Sequence, residues 1–273
     1  MAEGFIVQRA AASQYAFASG GTETVIEQDG KYYRVHSFTD VGEDSLEVLR
    51  GGEVEYLVVA GGGSGGDART ASSTPGGGGG AGGMLVGETF VSPQSYSVTV
   101  GAGGDAPTSA GQGVNGDDSS VFNVAAVGGG GGGGSSGETT GRNGGSGGGG
   151  SGTTASPQAG GSGIDGQGND GGDGQATGSG GGGGRGSVGS TASSNAEGGA
   201  GLTNDITGTS VIYATGGNGG VNTSGAIGNA GTNGLGEGGQ GSGHSSAARG
   251  GNGGSGIVIV RYRITQGEYE AAA

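Results

Sequence analysis

In 273 residues the chain carries 81 Gly, 4 Pro and no Cys, with 10 Lys plus Arg against 24 Asp plus Glu for a formal net charge of −14. Glycine without a sustained three-residue period or abundant proline excludes collagen, and recurrent β-branched blocks exclude a disordered linker. The missing cysteine excludes a disulfide framework and thiol chemistry, the acidic balance argues against nucleic acid as a partner, and no apolar run approaches the ~20 residues of a bilayer span.

The first residues, MAEGFIVQRAAASQYAFASGG, end in the small-residue pattern Ala16-Phe17-Ala18. Gln8, Arg9, Ser13 and Gln14 interrupt any apolar signal core, so no secretion signal is expected and residues 1–21 are assigned as an attachment segment. Thr22 to Gln28, Asp29-Gly30 and Lys31 to Phe38 predict a hairpin, because Asp-Gly supplies the positive φ angles of a two-residue turn. Ser45 to Leu49 and Glu53 to Ala60 follow as strands, then Met84 to Phe90 and Ser95 to Val100 around a turn pre-set by Pro93. Val121 to Val127, Val211 to Ala214 and Gly256 to Thr265 complete the set. Short strands in this number predict an all-β, jelly-roll-like β-sandwich over residues 22–266, with a tail at 267–273. In the last strand Arg261 and Arg263 alternate with Val260, Tyr262 and Ile264 and are expected on an outward face.

The placement of the glycines says more than their number. Gly61, Gly101, Gly128 and Gly216 each follow a strand, and Gly83 and Gly254 each lead into one, whereas the turn at Ser92 to Gln94 has none. Antiparallel pairing would then send every glycine tract out of one edge of the sandwich. Glycine has no side chain to bury, so only backbone hydrogen bonds between tracts could order them. Extended threefold helices of the polyglycine II type, side by side, satisfy that demand, and only glycine lets backbones approach closely enough. Gly128 to Gly134 is expected as an interior helix of such a bundle, with Gly137, in a serine-flanked stretch, nearer an edge.

Few motifs point to chemistry. Gly-x-Gly-x-x-Gly matches are inevitable at this glycine content, and a Walker loop is excluded because the only lysine is Lys31, in a hairpin. GGSGIDGQG, with Asp165 in an acidic position, resembles half of a calcium-binding nonapeptide repeat, but Gln167 stands where an apolar anchor belongs and the period does not continue, so ordinary polar turns are expected and no metal or cofactor. His36 and His244 lie far apart and are expected as one core-edge and one solvated residue. Arg69, Arg142, Arg185 and Arg249 sit inside the glycine excursions and are the candidate ligand contacts, since arginine can grip a carboxylated sugar with two parallel hydrogen bonds. The alternative for each is a solvated turn charge.

EYLVVAGGGSGG, GGGGGAGGMLVG, YSVTVGAGG, VAAVGGGGGGG, ITGTSVIYATGG and GGSGIVIVRY together resemble the glycine-rich domain of tail-fibre and adhesin-type proteins of tailed bacteriophages, over roughly Lys31 to Arg263. That resemblance implies polyglycine II helices beside a β-sandwich and a structural or recognition role without catalysis. It implies a virion protein, most simply a short tail fibre or receptor-binding adhesin, with other virion proteins and a host surface glycan or protein as partners and, by analogy with fibres, a homotrimeric state. A capsid or tail decoration protein is the alternative, favoured by the missing shaft and by the absence of Phe and Tyr between Asn123 and Ile212. An ice-binding polyglycine protein is a more remote one. A glycan hydrolase would require a close carboxylate pair in a cleft.

Overall fold

The computed structural model describes residues 15–69, 74–135, 138–152, 157–176, 178–192 and 196–272. The strands in chain order are β1 (Phe17–Ser19), β2 (Thr22–Gln28), β3 (Lys31–Phe38), β4 (Gly42–Arg50), β5 (Gly52–Val59), β6 (Met84–Val91), β7 (Gln94–Val100), β8 (Ser119–Val121), β9 (Val124–Ala126), β10 (Leu202–Asn204), β11 (Val211–Tyr213) and β12 (Ile257–Ile264). They are followed by one helix, α1 (Gln266–Ala272). Two five-stranded antiparallel sheets, ordered β1-β4-β7-β8-β9 and β2-β3-β12-β5-β6, form a sandwich, and β10-β11 is a separate two-stranded hairpin. Alternate residues of both sheets meet between them: Leu46, Val48, Val98 and Val100 from one, Phe38, Val54, Val58, Val258 and Val260 from the other. The outer face of the second sheet is also covered, because Ile206, Val211 and Tyr213 of the β10-β11 region pack over Val35, Leu57, Val59 and Ile259. Strand β12 is thus apolar on both faces, and its Ile-Val-Ile-Val run follows from that.

Several local details differ from the sequence expectation. Val121 to Val127 is two strands, since Phe122 and Asn123 both take positive φ (52° and 62°) and close a tight hairpin; the ring of Phe122 packs edge-on to Tyr56 and Tyr96. Residues 1–21, expected as an attachment segment, contribute β1 to the first sheet, and residues 1–14 lie outside the described residues. In the tail, Thr265 accepts from the Glu268 amide while the Glu268 carboxylate accepts from Thr265 in return, a capping box that starts α1. Arg261 is on the outer sheet face as expected but buried there: its guanidinium pairs with Glu55 at 2.7 Å, donates to Gln28 and to the Ile206 carbonyl, and lies 4.5 Å from the Tyr33 ring. The covering hairpin turned an outward residue into an interior one. His36 is fully buried between the sheets, bonded to the Gly20 carbonyl and to the Tyr262 hydroxyl, which holds both the amide and the carbonyl of Ala18.

Strand register fixes where the glycines go. Val59 pairs with both Met84 and Ile257, and Ser119 pairs with Ala126 beside the end of β7 at Val100, so the excursions 61–83, 101–118, 127–201 and 214–256 all leave from one end of the sandwich. We call that end the waist. The other end, the base, carries the turns at Asp29-Gly30, Arg50-Gly51 and Ser92-Pro93, the entry at Tyr15, which the Arg50 side chain holds, and the start of α1.

Beyond the waist the tracts form a bundle in which hydrogen bonds repeat every third residue. The tract 76–83 shows the rule: Gly76, Gly79 and Gly82 donate to Ser242, Gly239 and Gly236, Gly77, Gly80 and Gly83 donate to Gly133, Gly130 and Val127, and Gly78 and Ala81 donate to Gly180 and Gly183. Its carbonyls accept in three further rows, from Gly217 and Gly220, from Gly63 and Gly66, and from Ser146 and Gly149. Three rows given and three received make six neighbours around a threefold helix with no internal bonds, the polyglycine II arrangement. An ideal methyl on Gly79 would sit 2.1 Å from the Gly63 carbonyl oxygen, and on Gly182 1.9 Å from that of Gly79, so the lattice admits only glycine at such points.

Gly128 to Gly134 is buried as expected, with a refinement. Gly129 and Gly132 donate to Gly61 and Ser64, and Gly130 and Gly133 to Ser146 and Gly149, but Gly128 and Gly131 donate to the side-chain oxygens of Asp118 and Asn115. The same substitution recurs on the bundle's outside: Asp173 accepts from Gly160, Asp170 from Gly163, Asn143 from Ser162, and Asn218 from Gly198. Asn and Asp thereby replace a missing neighbour tract, which is why they interrupt the outer runs. Gly137, expected near an edge, lies outside the described residues.

Candidate functional site

The bundle has two sets of turns. One set, near 144–146, 164–167, 185–187 and 232–236, returns at the waist; the other forms apical loops at the far pole, where described residues include 67–69, 105–111, 138–140, 175–176 and 221–226 with 243–249. The four candidate arginines divide between these levels and do not converge. Arg185 lies at the waist, donating from Nε to the carbonyl of Met84 on the free edge of β6, where it covers a sheet edge. Arg142 is exposed on the bundle flank, its backbone bonded to Gly131 and Gly148 and its guanidinium without a partner among the described residues.

Arg69 and Arg249 are apical and share a neighbour, Asp67. The Asp67 side chain is fully buried; its Oδ2 accepts from Arg69 Nε at 2.8 Å and pairs with the Arg69 Nη2 at 2.7 Å, and its Oδ1 accepts from the Arg69 amide. The rest of the Arg69 fork donates to the carbonyls of Thr108 and Pro107, tying two apical loops together. Burial pushes the Asp67 carboxyl above its usual range, against the opposing pull of Arg69 and, more weakly, Arg249. Arg69 is therefore a structural clamp with its donors committed. Arg249 is exposed with its side chain unpaired among the described residues, so it alone of the four is both apical and available. His244 is half-buried in the neighbouring loop, its backbone bridged to Ser224 and its Nδ1 buried without a partner among the described residues.

Asp165 is exposed in the waist turn where Gly166 has φ 77°, and Gln167, which breaks the calcium pattern, holds the strand ends instead: its side-chain oxygen accepts from Val127 and its carbonyl from Met84. Among the described residues no group of three His, Cys, Asp or Glu is arranged to hold a metal ion, and no helix is long and apolar enough to cross a membrane.

Single-letter motifs could not have found the polar side chains that line the bundle's flank, because their role depends on which tracts lie beside them. The amides of Asn218 and Gln240 and the carboxylate of Glu237 gather along one groove between neighbouring tracts, and nothing in their local sequence spacing marks it. No curated protein matches the chain. The model of a glycine-rich domain matches residues 39–263, a range that begins between β3 and β4, spans every glycine tract and ends in β12. On that match the chain belongs to the glycine-rich domain family.

Proposed function

We propose that this protein is a non-enzymatic bacteriophage virion component, a short tail fibre or receptor-binding adhesin, in which the polyglycine bundle is a stiff platform and the apical loops meet the host. One observation carries the reading: the described chain enters the sandwich at the base and its last strand ends there, while the long excursions all reach the opposite pole. Attachment to other virion proteins then uses the base, and the bundle, with interior tracts bonded on six sides, holds the apical loops in fixed relation. A surface with net charge −14 is in keeping with solubility in a crowded assembly. Fluorescently labelled protein on host cells, together with labelled virion images, tests the proposal. Saturable cell binding and a location on the tail are expected; no binding, with many copies on the head, would replace it with the decoration protein. The aromatic-poor apical pole favours that second reading, since every Phe and Tyr of the described chain belongs to the sandwich, the hairpin over it, or α1. Sedimentation of the purified protein tests the trimer.

A further inference from the structure

The two cavities on the bundle flank, about 220 and 150 Å³, share Asn218 and Gln240 and form one groove between the tracts near residues 196–198, 215–219, 229–231 and 237–240. Its polar lining is Thr215, Asn218, Asn229, Glu237, Gln240 and Glu197, and among the described residues no Lys, Arg or aromatic side chain lines it. Three of these groups are locked by the lattice itself. The Asn218 side-chain oxygen accepts from the Gly198 amide at 2.9 Å, that of Gln240 from the Asn229 amide at 3.2 Å, and one Glu237 oxygen from the Thr232 amide at 3.0 Å. Because each partner is an N–H, the amide oxygens must face inward, which leaves the two NH₂ groups and the second carboxylate oxygen for a ligand. Fixed donors beside fixed acceptors, with nothing to be ordered on binding, are the chemistry that recognises neighbouring hydroxyls of a pyranose ring.

We propose that this groove is a subsite for an uncharged sugar of a surface glycan. The proposal rests on the adhesin reading and narrows its ligand. The groove is wrong for a carboxylated sugar, since it offers two carboxylates and no cation, and it differs in that from the arginine-based recognition expected from the sequence. Without an aromatic face to stack on, a single site binds weakly, with a dissociation constant on the order of 1 mM, and useful adhesion comes from several copies on one particle.

The test uses ¹⁵N-labelled full-length protein titrated with glucose, galactose and mannose, and with N-acetylneuraminic acid as the acidic comparison. The side-chain NH₂ resonances of Asn218 and Gln240 should shift with at least one neutral sugar, saturably, and bind the acidic sugar at least tenfold more weakly. Asn218→Asp and Gln240→Glu each keep the oxygen that caps the lattice, as Asp118 and Asp173 do elsewhere, and replace the NH₂ donor with a charged acceptor oxygen. Unchanged melting with at least tenfold weaker sugar binding in the double variant is expected. No shift with any neutral sugar, equal binding of the acidic one, or unchanged binding in the variant would each overturn the proposal. Cell binding measured in parallel separates the two readings: cells bound equally by the double variant remove the groove and keep the adhesin, whereas sugar shifts without cell binding remove the adhesin and keep the groove.

Discussion

The sandwich and the bundle are ordered by opposite uses of the side chain. In the sandwich, cohesion comes from apolar groups taken out of water, and the sheets' faces are written in Val, Ile and Leu. In the bundle, cohesion comes from backbone hydrogen bonds in rows of three, and the interior is written in the absence of side chains. The difference teaches that burial alone does not predict the effect of a mutation: removing a methyl group harms one region, and adding a methyl group harms the other.

The comparison can be broken at five places. The largest effect is expected at Leu57, fully buried on β5 under the β10-β11 hairpin: Leu57→Ala leaves a cavity and should cost about 2–5 kcal/mol in denaturant unfolding. Next comes Gly131→Ala, whose methyl would lie 2.1 Å from the Gly113 carbonyl oxygen. Overpacking against backbone should cost about 1–3 kcal/mol, and an unchanged or raised midpoint would mean that this tract is not packed in a lattice. Asn115→Ala sits at the junction of the two logics, because it removes both the oxygen that accepts from Gly131 and the amide that donates to the Asn143 carbonyl, each at 3.0 Å. A loss of about 1 kcal/mol is expected, recovered only in part by Asn115→Asp, which restores the acceptor for Gly131 but not the donor to Asn143; an aspartate variant no more stable than the alanine one would count against capping of Gly131 by this side chain.

Acid should act on the sandwich before the bundle. Burial holds the His36 imidazole below its ordinary value of 6.5, outweighing the Gly20 hydrogen bond and the Glu23 carboxylate, so the unfolded chain takes up the proton more readily than the fold. Stability from this group is complete above about pH 6.5 and declines as the pH falls through that value. Melting curves across that range should fall for the parent and stay flatter for His36→Gln; parallel curves would count against it. The smallest effect, of the reverse sign, is expected at Gly111→Ala, at an apical turn where the nearest atom to the added methyl is 3.9 Å away. A gain of about 0.4–1 kcal/mol would come from the less entropic unfolded chain, and a loss would mean that apical glycines are packed as tightly as Gly131.

Nearly all the long strands were legible, because two-residue alternation and the Asp29-Gly30 turn are local signals. So was the exit of the glycines from one end, since it follows from antiparallel pairing of strands with glycine at one terminus. The Phe122-Asn123 turn was hidden because an aromatic residue at positive φ is held by ring contacts from distant strands, and β10 because three residues carry too little pattern. Thr265-Gln266-Gly267-Glu268 did carry a helix signal, the capping box, in a stretch assigned as tail. The candidate arginines were correctly placed in the excursions, but sequence position could not distinguish the committed clamp Arg69 from the available Arg249.

The sequence by itself determined that glycine tracts must be tied by their backbones and that β-branched runs must pair, since each is a property of the residue and its immediate neighbours. Only the tertiary structure decided which tract lies beside which, and therefore which Asn or Asp stands in for a missing neighbour, which carboxylate is buried under an arginine, and which amides are left facing a groove. Those choices depend on a lattice whose contacts join residues far apart in the chain, as when Gly62 donates to Gly254, and identical glycines leave no local mark of their partners.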